Sequence, residues 1–350
     1  MDEDFQLTSD VQKVKDQLDQ AKLPEELKTK ASDMINRLAR QAKYGSYSAD
    51  FEMVSHYIDW ITHLPWFNYT DDILDLTHVK QVLDKHHYGL DQLKERFLEY
   101  MSLMILNRQK QDSTYRAPIL LLVGLVGTGK TTISLSIAEA LGRKIIRIPF
   151  GGMSSALDLR GKSRIHAESE PGQIIKGLRR SGVKNPVILL DEIDRVADSA
   201  RGEIMGVLVE LLDPAQNNAF TDHYVDYPFD LSEALFVATA NNTTHISTAV
   251  MDRLEPIMMP SYTDDEKIHI AREYILPDKI QKAALPEGAL TIDNAVWAKI
   301  TRPLGFDAGI RTMERTIEGI TRKVAKMIVE GKGKEFVITE DNVKQFLPTY

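Results

Sequence analysis

A lysine and a threonine, Lys130-Thr131, close the stretch Gly124-Leu125-Val126-Gly127-Thr128-Gly129-Lys130-Thr131, a G-x-x-x-x-G-K-T pattern that Thr132 follows. Residue types at this spacing suit one chemistry. Glycines let successive backbone N–H groups turn inward around phosphate oxygens, Lys130 adds a point charge at the outer phosphates, and a helix starting there directs its positive end at the anion. Thr131 then offers its hydroxyl to Mg²⁺. Further along, Asp191-Glu192 ends an apolar run. Beside a phosphate loop such a pair divides the work: Asp191 holds the metal through its water shell, and Glu192 polarises an attacking water as general base.

Three further residues carry chemistry only in that company. Asn241 follows an apolar run and can orient the lytic water at a γ-phosphate, although a strand-end Asn alone reads equally as a turn residue. Arg253 follows Met251-Asp252 on an expected short helix and could reach a neighbouring subunit's γ-phosphate; read alone it is a surface salt bridge. Arg311 opens a long helix and could swing toward bound phosphates. The adjacent His86-His87 lacks other ligands at metal spacing and reads as a satisfied or solvent-facing pair.

These groups need strands to bring them together. The apolar runs 119–123, 145–148, 187–190 and 235–239 read as buried strands of a parallel sheet, separated by amphipathic helical patterns. Before them, residues 9–42 have apolar positions three and four apart, with Pro24 suited to a first turn, so they predict a helical hairpin or arm. Gly45 to Ser48 breaks the pattern, a helix through Met53 to Ile61 follows, and 68–76 reads as a loop. A long helix is expected over 90–109, with Gly89 marking a stop before it. Beyond Tyr262 the pattern is mainly helical (264–275, 292–300, 308–330), then a short strand at 336–339 and a last helix.

The 350 residues are 43% hydrophobic, ample for packed cores, and carry a net charge of −8, which argues against a dedicated nucleic-acid binder. The absence of cysteine excludes disulfide scaffolds, thiolate zinc sites and cysteine nucleophiles. The acidic, polar start and the lack of a long apolar run lead us to expect no membrane association and a cytoplasmic setting, with a mitochondrial matrix protein lacking its targeting segment as the alternative.

Together these residues resemble the AAA+ family, and within it the ATPase module of Lon proteases. The phrases that carry the resemblance are IDWITHLPW (58–66), HYGLDQLKER (87–96), PILLLVGLVGTGKTT (118–132), KNPVILLDEID (184–194), LLDPAQNNAFTDHYVDYPFDLS (211–232), VATAN (237–241) and GIRTMER (309–315). The resemblance implies an α/β P-loop NTPase with a parallel sheet flanked by helices. A helical arm (1–66) would precede the large ATPase subdomain (67–260), and a small, mainly helical lid (261–350) would follow. It further implies ATP or ADP with Mg²⁺, a hexameric ring, and unfolded or damaged proteins as substrates. By position, Gly124 to Thr131 matches the Walker A loop, Asp191 and Glu192 the Walker B pair, Asn241 sensor 1, Arg253 the arginine finger and Arg311 sensor 2. His87 and Tyr88 match the segment beside the adenine.

Two departures stand out. Where the family's substrate-gripping loop carries an aromatic and an aliphatic residue, this chain has His166-Ala167, and Leu125-Val126 replaces the usual two prolines. The weak grip motivates an alternative, a nucleotide-switched binding module without translocation. Arg160, Lys162, Arg164, Arg179 and Arg180 motivate another, an ATPase acting on DNA. No segment offers the Ser-Lys dyad of the family's peptidase domain, so we expect the central part of a longer protein rather than a stand-alone ATPase.

Overall fold

The computed structural model describes residues 2–42, 49–110, 119–166, 169–301 and 309–348. The expected break at Gly45 to Ser48, together with Pro118, Ala167, Glu168 and Ala308, lies outside them. Three helices come first, α1 (Asp2–Gln20), α2 (Glu25–Ala42) and α3 (Ala49–Thr62). Val14, Leu18, Leu27, Ala31 and Ile35 are buried between the first two, and Tyr57, Ile58 and Ile61 turn α3 onto the rest of the protein. Helices α4 (Leu76–His86) and α5 (Asp91–Lys110) follow.

The central elements are β1 (Ile119–Val123), α6 (Lys130–Leu141), β2 (Ile145–Pro149), α7 (Leu157–Arg160), α8 (Gln173–Ser181), β3 (Val187–Asp191) and α9 (Arg201–Leu212). They continue as β4 (Phe220–Thr221), β5 (Pro228–Phe229), β6 (Leu235–Ala240), α10 (Thr248–Met251) and β7 (Leu254–Met258). Five strands form one parallel sheet in the order β2-β3-β6-β1-β7. Side chains alternate across a strand, so both faces must be apolar for the sheet to be covered twice. Leu121, Ile188, Leu190 and Ala238 pack on one face with α8, α9 and the arm, whereas Leu120, Leu122, Leu189 and Val237 pack on the other with α4, α5 and α6. Burial of both faces fixes the register, and the register sets the strand ends side by side.

The last segment comprises α11 (Asp264–Ile270), a π-helical turn Ala271–Ile275, α12 (Leu276–Lys282), β8 (Leu290–Ile292), α13 (Trp297–Thr301), α14 (Arg311–Val329), β9 (Phe336–Ile338) and α15 (Val343–Phe346). It has its own core around Trp297, Ile300, Met313, Ile317 and Ile320. Three expectations need correction. Residues 292–300 are not one helix: Leu290–Ile292 pairs in parallel with β9, and the helix begins only at Trp297. Strand β7 was not expected, because Pro256 and half-exposed or exposed neighbours break its apolar run; Pro is tolerated there because β7 is an edge strand. Arg253 lies in the turn just after α10, not on a helix. Among the described residues no helix is long and apolar enough to cross a membrane.

Candidate functional site

The carboxyl ends of β1, β3 and β6 are neighbours; β1 hands over to the glycine-rich loop, β3 to Glu192 and β6 to Asn241. Parallel sheets collect ligands at this edge. After β1 the chain turns through Gly127 (φ +84°) and Gly129 (φ +93°), left-handed backbone that favours glycine, and enters α6 at Lys130. Gly124 is required for packing: a Cβ there would fall 2.7 Å from the Met259 carbonyl oxygen. Lys130 Nζ donates to the carbonyls of Gly124 (2.6 Å) and Leu125 (2.9 Å) and, at 3.3 Å, to Asn241 Oδ1. Burial lowers its pKa from the usual lysine value, against the upward pull of Asp194, Glu192 and Asp191.

Asp191, 3% exposed, spends both carboxylate oxygens. Oδ1 accepts from Thr239 (2.6 Å) and faces the Thr131 hydroxyl at 3.5 Å, while Oδ2 accepts from Arg147 Nε at 2.8 Å. A hydroxyl and a carboxylate side by side are the hard oxygen donors that Mg²⁺ prefers, so the donor set suits that ion. Glu192 has left-handed backbone (φ +59°), a strained conformation for a non-glycine residue, held by its N–H bond to Thr239 Oγ1 at 2.8 Å. A Cβ at Gly151 would come within 3.0 Å of Glu192 Oε2, so a glycine there leaves room for the carboxylate. Asn241 Nδ2 is buried with no hydrogen-bond partner among the described residues, a donor left for a ligand beside Lys130. The glycine cradle, the lysine and this orphan donor fit a polyphosphate.

The last segment closes on the loop from outside. The Ile310 N–H donates to the Gly127 carbonyl at 3.0 Å. A Cβ on Gly309 would strike the Val126 carbonyl oxygen at 2.5 Å. Arg311 therefore starts α14 directly against the loop, and Tyr262 donates its phenol to the Thr128 carbonyl at 3.2 Å. Burial pushes the Tyr262 pKa up to about 12, so the phenol stays a donor. Thr132 turns its hydroxyl back to the Gly129 carbonyl (2.8 Å), whereas Leu125 and Val126 are exposed.

His87 and Tyr88 sit on the other flank. The His87 ring is buried, with Nε2 2.8 Å from Ser136 Oγ on α6, while Lys94 donates to the His87 carbonyl (2.7 Å). Burial, with His86 and Lys94 nearby, lowers its pKa to about 4, so the imidazole is neutral. His86 is half-exposed and faces Glu139. Gly89 and Leu90 both have positive φ, and the turn they make presents the Tyr88 ring 4.1 Å from that of His269 on α11.

Arg253 lies elsewhere, its guanidinium donating to Asp213 Oδ2 (2.8 Å) and the Ala249 carbonyl (2.7 Å). Its hydrogen bond, together with the Ala215 N–H, holds the Asp213 carboxyl below its usual pKa. The basic residues of α7, α8 and the segment between them are also engaged. Arg160 pairs with Glu210, Arg164 lies 3.9 Å over the Tyr57 ring and 3.6 Å from Asp226, and Arg179 lies 4.3 Å over Trp60 and 2.8 Å from Asp59. Ile165 is 87% exposed and His166 is exposed beside it. Sequence reasoning passed over Arg147, Asp194 and Tyr262. The tight run Asp191-Glu192-Ile193-Asp194 held the signal for Asp194, whereas nothing local marks the other two.

The family described as ATPase family associated with various cellular activities (AAA) matches residues 120–262, and the Lon protease AAA+ ATPase lid domain matches residues 281–337. The chain is similar to the Lon protease of Bacillus thuringiensis (strain Al Hakam), 40% identical over 338 residues, which cover 97% of this chain and 42% of that protein. It is similar to the Lon protease of Lawsonia intracellularis, 42% identical over 97% of this chain and 40% of that protein. Lon protease 1 of Bacillus subtilis (strain 168) is 39% identical over 97% of this chain and 43% of that protein. The chain thus spans about two fifths of the length of these relatives.

Proposed function

The chain is a Lon-type AAA+ ATPase module, an AAA domain followed by a Lon lid, and from that premise we propose that it couples ATP hydrolysis in a hexameric ring to the unfolding and translocation of protein substrates. The observation that carries the hydrolytic part is the convergence of Lys130, Asn241, Thr131 and Asp191 at one sheet edge, with the lid seated on the Gly127 carbonyl.

In this reading the 124–131 backbone and Lys130 bind the phosphates, His87 and Tyr88 flank the base, and Thr131 and Asp191 hold Mg²⁺. The bound ion would offset phosphate charge and fix the outer phosphates for in-line attack. Glu192 takes the proton of the attacking water, Asn241 orients that water, and Arg311 brings positive charge from the lid. Arg253 leaves Asp213 to meet the site of an adjacent subunit, completing it in trans. The setting is cytoplasmic.

A second reading keeps the ATPase and drops translocation. It is favoured by His166, an exposed imidazole where the gripping aromatic is expected, although Ile165 beside it is the more exposed apolar surface. The DNA reading loses support, since Arg160, Arg164 and Arg179 spend their charge on carboxylates of this chain. The deciding experiment measures steady-state ATPase against protein concentration, with and without an unfolded protein. Activity that rises with concentration and is stimulated by the unfolded protein supports the ring-forming unfoldase. Turnover indifferent to both leaves the switched module.

A further inference from the structure

We propose that Asp194 is a positioning residue for hydrolysis, holding the tip of β6 so that the Asn241 carboxamide meets Lys130; this rests on the reading of Asn241 given above. Asp194 lies in the 3₁₀ turn Ile193–Arg195 that follows β3 and is 5% exposed. Its Oδ2 accepts the backbone N–H groups of both Asn241 (3.1 Å) and Asn242 (3.3 Å), the first two residues beyond β6. Its Oδ1 is buried with no hydrogen-bond partner among the described residues.

A buried carboxylate costs several kcal/mol unless its oxygens are satisfied, and here one of the two is not. What the acid does accomplish is specific. The sheet ladder ends at Ala240, so the next two N–H groups take another acceptor, and the one supplied belongs to the turn that follows β3, just past Asp191 and Glu192. Through that bridge the tip of β3 fixes the direction of Asn241, whose Oδ1 lies 3.3 Å from Lys130 Nζ. Asp194 touches no reacting atom in this scheme. It acts through Asn241, and the charge on Lys130, the position of the strand tip and the orientation of the water become one linked setting.

The test is a double-mutant cycle on kcat with Asp194→Ala, Asn241→Ala and the pair, read alongside melting temperature and the affinity for a fluorescent ATP analogue. Each single variant is expected to lower kcat by roughly tenfold or more with analogue affinity changed by no more than about twofold, and the pair to be no slower than Asn241→Ala alone. Asp194→Asn keeps one oxygen for the two N–H groups and should return kcat to within about threefold of wild type. Losses that multiply in the pair overturn the proposal, as does an Asp194→Asn variant as slow as Asp194→Ala. If Asn241→Ala turns over normally, the reading of Asn241 itself fails, and the proposal with it.

Discussion

Two residues of the site have roles that can be measured. Glu192 is expected to activate water, so Glu192→Gln should lower kcat by about 10² to 10⁴ while ATP still binds; retained turnover removes the assignment. His87 is neutral in the folded protein because its pKa falls to about 4, whereas the unfolded chain titrates near 6.5. Between those values the unfolded state binds more protons, so stability rises with pH. The contribution of His87 is complete above the unfolded value and is lost as pH falls toward 4, by at most roughly 3 kcal/mol. Melting temperatures from pH 7 to 4 should therefore slope less steeply for His87→Gln than for the wild type.

At the scale of elements, the start of the lid helix α14 is held against the phosphate loop by the Ile310 N–H on the Gly127 carbonyl, a close approach that only a glycine at 309 permits. Gly309→Ala should push the helix off the loop and weaken nucleotide binding about tenfold or more, with little effect on the separate lid core, as titration of a fluorescent ATP analogue will report. The strands that carry the site were legible because each is a run of apolar residues that stops at the site, as Val187 to Leu190 stops at Asp191. Strand β7 was hidden because Glu255-Pro256 interrupts its apolar residues and mimics a loop. Strand β8 was hidden because Leu290–Ile292 is too short to show a period before α13 begins. Arg147 could not be found from its own neighbourhood, since its partner Asp191 lies on the neighbouring strand, which only the folded sheet brings beside it. A departure at one loop residue, His166, is plain in the sequence.

At the scale of the whole molecule, Arg253 is stored against Asp213 of its own chain, far in sequence from the phosphate loop it is expected to serve. Its contribution should then appear only on assembly. Arg253→Ala is expected to lower turnover about 10²-fold or more at concentrations that support rings, and to change little in dilute solution; a uniform loss at all concentrations would falsify the trans role. The arm belongs to the same mechanical body as the sheet, because Arg164 and Arg179 clamp Tyr57 and Trp60 of α3 while His56 Nδ1 meets the Tyr224 hydroxyl at 2.9 Å. The Trp60 clamp also has an optical consequence. The chain has three tryptophans. Trp66 packs 5.0 Å from Phe229 and Trp297 lies inside the lid core, so among the described residues only Trp60 lies under a guanidinium, at 4.3 Å. With Trp66 and Trp297 replaced by phenylalanine, the remaining indole becomes a built-in lamp on the arm. Its brightness and colour would report whether the Arg179 contact persists through turnover, so the protein itself supplies the dye that checks whether arm and sheet move as one.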